Sequence, residues 1–218
     1  MTEPLAILPI KSFDHAKQRL GEDLDPSTRR VLAEAMFSDV LVALRRSSLI
    51  HRVLVVSGDH GAQRIAAGYG AMVLDDDELG HNAAATLGVQ RALELGTRRV
   101  LLVPGDCPLL DPAELDELVS HRAGEHSALV VPDRHGTGTN ALLLSPPDAL
   151  TTSFGPGSRR RHEARARAAG LEVQTVPVRS LALDVDTLDD LAAVEAELEA
   201  RHGGAAHTRG MLRQLSRT

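Results

Sequence analysis

The sequence predicts an α/β protein with a mostly parallel twisted sheet and helices on both faces. Short apolar runs recur along the chain, and segments of amphipathic helical spacing separate them. Several runs, such as Leu5–Leu8 and Val100–Val103, are apolar without alternation, the pattern of strands covered on both faces. Hydrophobic residues make up 43% and aromatic residues only 2%, so Leu, Val, Ala and Ile must build the core. A chain of 218 residues is long enough for one such domain. Right-handed βαβ units follow from this alternation.

Leu5–Leu8 reads as the first strand. Asp25-Pro26 reads as an N-cap followed by proline at the first helical position. The helix after it puts Leu32, Met36, Val40 and Leu44 on one face. Arg52–Ser57 is a second strand, followed by a short helix around Gln63–Ala67 and a strand at Ala71–Leu74. Asn82–Leu95 is helical and closed by Gly96. Val100–Val103 and Ala128–Val131 are strands around a helix at Pro112–His121. Arg160–Ala169 is a helix ending at Gly170, Val173–Val178 and Leu181–Leu183 are strands, and Leu188–Arg201 is the last amphipathic helix. Residues 1–201 are expected to form a single domain. Residues 202–218 are Gly-, Ala- and Arg-rich without periodicity and are expected to form a flexible C-terminal tail.

Several function classes are excluded at this stage. A net charge of -6 and the scarcity of aromatics argue against a nucleic-acid binder. No apolar run reaches the length of a membrane span, and the N-terminus lacks an export signal. Cys107 is the sole cysteine, so no internal disulfide can form, and a cytoplasmic location is expected. The histidines show no zinc-type spacing.

In such a sheet, ligands bind beyond the carboxyl ends of the strands. The residues there are Lys11, then Ser57-Gly58-Asp59, Asp75–Asp77, Gly105-Asp106-Cys107, Pro132-Asp133-Arg134 and Asp184-Val185-Asp186. Lys11 and Lys17 stand out because every other basic residue is arginine; each is a compact point charge suited to phosphate. Asp106, Asp184 and Asp186 are the best metal candidates, since Mg²⁺ prefers carboxylate oxygens plus phosphates and water. Two apart on an extended segment, Asp184 and Asp186 face the same way, although Asp186 could instead cap the last helix. Asp75–Asp77 reads as a solvated acidic loop, and Cys107 as a packing residue. Pro132–His162 holds two glycine-rich turns, Gly136–Asn140 and Gly155–Ser158, around the apolar run Ala141–Leu144. Backbone N–H groups in such turns form anion-binding concavities, and Thr139 and Ser158 add hydroxyl donors. The apolar Leu142–Leu144 would serve either the core or a homodimer interface.

Five collinear motifs carry a resemblance to a known family. They are Pro9-Ile10-Lys11 with Ala16-Lys17-Gln18-Arg19-Leu20; Gly105-Asp106-Cys107-Pro108-Leu109; Pro132-Asp133-Arg134 with Gly136–Leu142; Phe154-Gly155-Pro156-Gly157-Ser158 with His162; and Leu183–Thr187 with Asp190-Leu191. The chain resembles the guanylyltransferases that act on phosphorylated three-carbon acids in the biosynthesis of coenzyme F420. The resemblance implies the nucleotide-diphospho-sugar transferase fold, which is Rossmann-like. It implies transfer of GMP from GTP to phosphoenolpyruvate or 2-phospho-L-lactate, with Mg²⁺. It places Thr139, Gly155 and Ser158 at the acid, and Asp106, Asp184 and Asp186 at the metal. Lys11, Lys17 and Arg19 fall at the triphosphate and Asn82 near the guanine and ribose. His81 departs from the leucine of the family. The Ala- and Arg-rich composition of a high-GC bacterium favours phosphoenolpyruvate. Two other readings stay open: a nucleotidyltransferase for a sugar phosphate or molybdopterin, and a non-catalytic GTP-binding regulatory protein.

Overall fold

Strand β1 (Leu5–Pro9) is buried along its whole length and is an interior strand of a seven-stranded sheet. The computed structural model describes residues 3–215 apart from Glu22, Glu78, Leu79, Arg122, Ala123 and His202. The other strands are β2 (Arg52–Val56), β3 (Met72–Leu74), β4 (Val100–Leu102), β5 (Ser127–Pro132), β6 (Thr139–Ser145) and β7 (Glu172–Thr175), in the order β3-β2-β1-β4-β6-β5-β7. β1 pairs in parallel with β2 and β4, β2 with β3, and β5 with β7. β6 alone runs antiparallel, to both β4 and β5. The mostly parallel sheet is therefore as expected, with one reversal at β6.

Alternate residues of each strand feed opposite faces. Ala6, Leu8, Leu101, Leu129 and Leu143 join one core with α1 (Pro26–Arg46), α2 (His60–Gly68) and α4 (Pro112–Ser120). Leu5, Ile7, Leu102, Val130 and Leu142 join the other, with α3 (His81–Glu94) and α5 (Ser158–Ala168). Leu142, Leu143 and Leu144 are thus core residues. Asp25 caps α1 by accepting the Ser27 and Thr28 N–H groups, as its sequence predicts.

α3 lies close against β1 because Gly88 presents no side chain. A Cβ there would come within 2.5 Å of Ile7 Cγ2 and 3.2 Å of Val56 Cγ2. Gly88→Ala gains about 1 kcal/mol of helix propensity. It must then overpack two buried branched residues, which costs about 1–3 kcal/mol. A net loss of stability is expected in urea denaturation; a gain would show that α3 can back away from the sheet.

Two expectations are corrected. Leu181–Leu183 is not a strand: Arg179–Leu181 forms a 3-10 turn and the chain then runs on without sheet partners. The Asn140 side chain takes the Leu181 carbonyl at 2.7 Å, while Leu181 and Leu183 enter different cores. Nor is the C-terminal segment a loose tail where it is described, since Ala206–Leu215 forms helix α7, while residues 202 and 216–218 lie outside the described residues. Its Thr208, Met211, Leu212 and Leu215 follow helical spacing, and the last three pack with Leu32 and Met36 of α1 and Val194 and Leu198 of α6 (Leu188–Ala200). Buried Asp39 of α1 accepts the N–H groups of His207 (3.1 Å) and Thr208 (2.8 Å), holding the helix start down. The high arginine and glycine content masks this short apolar stripe in the sequence.

Candidate functional site

A cavity of about 550 Å³ opens at the carboxyl ends of the parallel strands, lined by Lys11, Lys17, Asp106, Thr139, Asp184 and Asp186 among others. Its position follows from the topology. β1 and β4 deliver Lys11 and the Gly105–Asp106 loop directly. β6 runs the opposite way, so its first residues, Thr139 and Asn140, emerge at the same edge; Thr139 pairs with Pro132 at the end of β5. A larger cavity of about 690 Å³ lies between α1, α6 and the start of α7 and contains none of these lysines or carboxylates.

Lys17 sits at the hub of the acidic groups. Its backbone is left-handed (φ 53°), a conformation costing a non-glycine residue about 1–2 kcal/mol. Its ammonium contacts Asp106 directly and lies 3.4 Å from Asp186. Burial favours the neutral amine, but the charges of Asp106 and Asp186 outweigh it and hold the lysine pKa above its ordinary value. Arg19 stands at the rim, 3.9 Å from Asp186 and largely exposed. Asp184 is pushed up, first by burial and then by the charge of Asp106, against a 3.1 Å hydrogen bond from Asn140. Asp184 and Asp186 both face the cavity while Leu183 and Val185 are buried, so the alternation expected of them holds without a strand. The Val185 N–H donates to the Asp106 carbonyl at 3.2 Å and keeps the two acidic segments adjacent. Capping of α6 falls to Thr187 and Asp190 in a reciprocal capping box, which leaves the Asp186 carboxylate for the cavity.

The other predicted residues line or flank the same space. Lys11 is exposed at its mouth. Gly155, in a φ of 114° that favours glycine, forms the wall opposite. Ser158 begins α5 just behind it, with its N–H on the Gly155 carbonyl at 3.0 Å; its buried hydroxyl has no partner among the described residues. The two glycine turns meet where the Arg159 N–H donates to the Thr137 carbonyl at 3.2 Å. Asn82 is at the site, yet both ends of its amide hold the Phe154 backbone: Oδ1 accepts its N–H at 2.7 Å and Nδ2 donates to its carbonyl at 3.3 Å. His81 packs edge-on to Phe154 with centroids 5.0 Å apart, and burial above all lowers its pKa, leaving it neutral.

Several strand-end residues named from the sequence have a structural role that the sequence did not show. Asp59 accepts hydrogen bonds from Ser12 Oγ, Phe13 N, Gly61 N and Ala62 N, so it caps α2 and anchors the loop that carries Lys11 and Lys17. Asp133 closes its own turn through the Thr137 and Gly138 N–H groups, and Arg134 pairs with Asp190 at 2.6 Å. These strand-end residues hold the frame. Asp76, read as part of a solvated loop, lines a smaller cavity of about 260 Å³ beside Lys11 and His81. Cys107 is buried and its thiol is pushed up, chiefly by burial, consistent with a packing residue.

Whether these residues suit a divalent ion turns on donor chemistry. Three carboxylates crowd one edge, and hard oxygen donors of this kind suit Mg²⁺. No group of three or more His, Cys, Asp or Glu side chains among the described residues is drawn onto a single point; the Lys17 ammonium bridges Asp106 and Asp186 instead. No helix among the described residues is long and apolar enough to cross a membrane.

Known proteins resemble this chain over nearly its whole length. Residues 5–218 match the family described as "Guanylyl transferase CofC like". The chain is 54% identical over 215 residues to the phosphoenolpyruvate guanylyltransferase of Conexibacter woesei, covering 98% of this chain and 96% of that protein. It is 35% identical over 214 residues to the 2-phospho-L-lactate guanylyltransferase of Methanothermobacter thermautotrophicus, covering 96% and 90%. A crystal structure named as a nucleotide-diphospho-sugar transferase, from Desulfovibrio desulfuricans G20, superposes with a TM-score of 0.77 at 18% identity over 98% of this chain and 95% of that one, which establishes the shared fold. The chain belongs to the CofC-like guanylyl transferase family.

Proposed function

We propose that this protein transfers GMP from GTP to phosphoenolpyruvate, releasing diphosphate. The carrying observation is that one cavity is lined by two chemically distinct sets of groups. Cationic and acidic groups (Lys11, Lys17, Asp106, Asp184, Asp186) form one, and a glycine wall with the Thr139 hydroxyl forms the other. The first suits a triphosphate and the second a small phosphorylated acid. An oxygen of the acid's phosphate attacks the α-phosphorus of GTP; the bond from that phosphorus to the bridging oxygen breaks, and diphosphate departs with the electron pair. The attacking phosphate is already anionic, so no general base is needed. Lys11, Lys17 and Arg19 neutralise charge on the phosphates, and the cavity aligns the two substrates. Asp106, Asp184 and Asp186 would hold Mg²⁺, which when bound supplies further neutralisation of phosphate charge. Ser158 Oγ, Thr139 and the turn at Gly155 receive the acid. Asn82 serves the nucleotide half indirectly in this reading, by fixing Phe154 between the two ends.

Phosphoenolpyruvate and 2-phospho-L-lactate differ around one carbon, a difference that small pockets separate weakly. The resemblance to the Conexibacter protein favours phosphoenolpyruvate. The experiment incubates purified protein with GTP, Mg²⁺ and each acid in turn and measures diphosphate release. Turnover fastest with phosphoenolpyruvate is expected. Faster turnover with 2-phospho-L-lactate would reassign the acceptor. Binding of GTP without release of diphosphate with any such acid would leave a non-catalytic nucleotide-binding protein.

A further inference from the structure

His162 sits behind the cavity wall, on the face of α5 one turn after Ser158, and is fully buried. Its two ring nitrogens meet different partners. The Ser153 backbone N–H points at Nε2, 2.8 Å away. A backbone N–H only donates, so Nε2 presents its lone pair and carries no proton. Nδ1 lies 3.0 Å from Thr139 Oγ1. A neutral imidazole has a single N–H, so that hydrogen resides on Nδ1 and is donated to the threonine oxygen. Burial, aided by the charges of Arg161 and Arg165, pushes the ring pKa down to about 4, which keeps it neutral near pH 7. The ring is held laterally by Phe154, edge-on with centroids 5.1 Å apart.

The consequence falls on Thr139. Its oxygen already accepts from His162, so its own hydrogen cannot point there. No described residue accepts that hydrogen, and Thr139 lines the cavity. We propose that His162 is a positioning residue that locks Thr139 as a hydrogen-bond donor to the anionic acceptor substrate. A hydroxyl free to rotate presents either a hydrogen or a lone pair, and a phosphate or carboxylate is attracted only by the hydrogen. The Nδ1–H···O bond removes the wrong orientation and polarises the O–H in the same direction. Through Nε2 the same ring fixes Ser153, two residues before Gly155, so one side chain registers both walls of the acceptor end.

This inference rests on the acceptor end as assigned above, and its test separates the two. His162→Gln keeps an acceptor near the Nε2 position but no donor to Thr139; His162→Asn keeps a donor near Nδ1. Loss of one hydrogen bond to a charged group corresponds to roughly a tenfold to hundredfold rise in KM for phosphoenolpyruvate in His162→Gln. KM for GTP should stay unchanged, and His162→Asn should recover most of the loss. Thr139→Val should raise KM for the acid at least as much as His162→Gln. If Thr139→Val leaves that KM unchanged, the acid does not bind at Thr139 and the acceptor assignment itself falls. If Thr139→Val raises it and a folded His162→Gln does not, only the positioning role is overturned. Nitrogen-15 NMR of the unmodified protein reads the tautomer directly, whatever the variants do. A protonated Nδ1 and a bare Nε2 are expected, and the reverse pattern would refute the inference.

Discussion

Asp106→Ala is expected to abolish diphosphate release while the protein stays folded. The two halves of that expectation have separate causes. Asp106 projects its carboxylate into the cavity, and the side chain is 29% exposed. Its structural tie to the acidic segment is its backbone carbonyl, which accepts the Val185 N–H and is kept by any side chain. Lys17 would retain Asp186. The stability cost should therefore resemble that of a partly exposed ion pair, about 0–1 kcal/mol. The catalytic cost should be far larger, because one of three carboxylates available to a metal ion is gone; preorganised electrostatic groups are each worth roughly a hundredfold to a thousandfold in turnover. Diphosphate release and thermal melting measured on the same sample separate the two. Turnover within about tenfold of the parent protein would place Asp106 outside the reacting centre.

Lys17→Met should produce the second large effect. Methionine matches much of the buried stem of Lys17, whose side chain is only 7% exposed, and removes the charge. Asp106, Asp184 and Asp186 then face one another without their cation. A fully buried pair broken in this way costs about 3–5 kcal/mol. Here Asp186 is half exposed and Asp106 partly so, and water can solvate both, so a loss nearer 1 kcal/mol is expected. Turnover should fall roughly a hundredfold or more, with KM for GTP rising and KM for the acid little changed, because the lost cation serves the triphosphate. Parent-like kinetics in Lys17→Met would reduce Lys17 to a structural counter-ion for the carboxylates.

Much of the site was legible residue by residue. Only lysine supplies a compact cation, and this chain places its two lysines just after the first strand. Carboxylates are the charged side chains that suit a hard divalent ion, and Asp106, Asp184 and Asp186 all stand at the ends of apolar runs or beside buried residues. Their convergence on one cavity follows from the rule for open α/β sheets, which needs no coordinates. Other features were silent in the sequence. Asn82 could be placed near the nucleotide by resemblance, but its clasp on Phe154 joins residues 72 positions apart. His162 appeared as a motif residue without a task, because its task depends on which backbone N–H reaches its second nitrogen. The C-terminal helix was hidden because its stability comes from Asp39 and the apolar surface of α1 rather than from its own composition.

The sequence by itself determined the alternation of strands and helices, the burial of the sheet on both faces, and the supply of lysines, carboxylates and glycine turns. These are local properties, set by side-chain period and residue chemistry. The tertiary structure decided that β6 runs against its neighbours and so carries Thr139 to the edge where Lys11 and Asp106 emerge. It also decided that Lys17 bridges Asp106 and Asp186, and that His162 holds the Thr139 hydroxyl. Strand direction and such pairings are fixed by packing between segments far apart in the chain, where burial and hydrogen-bond satisfaction across the whole sheet select one arrangement, and no local pattern records that choice.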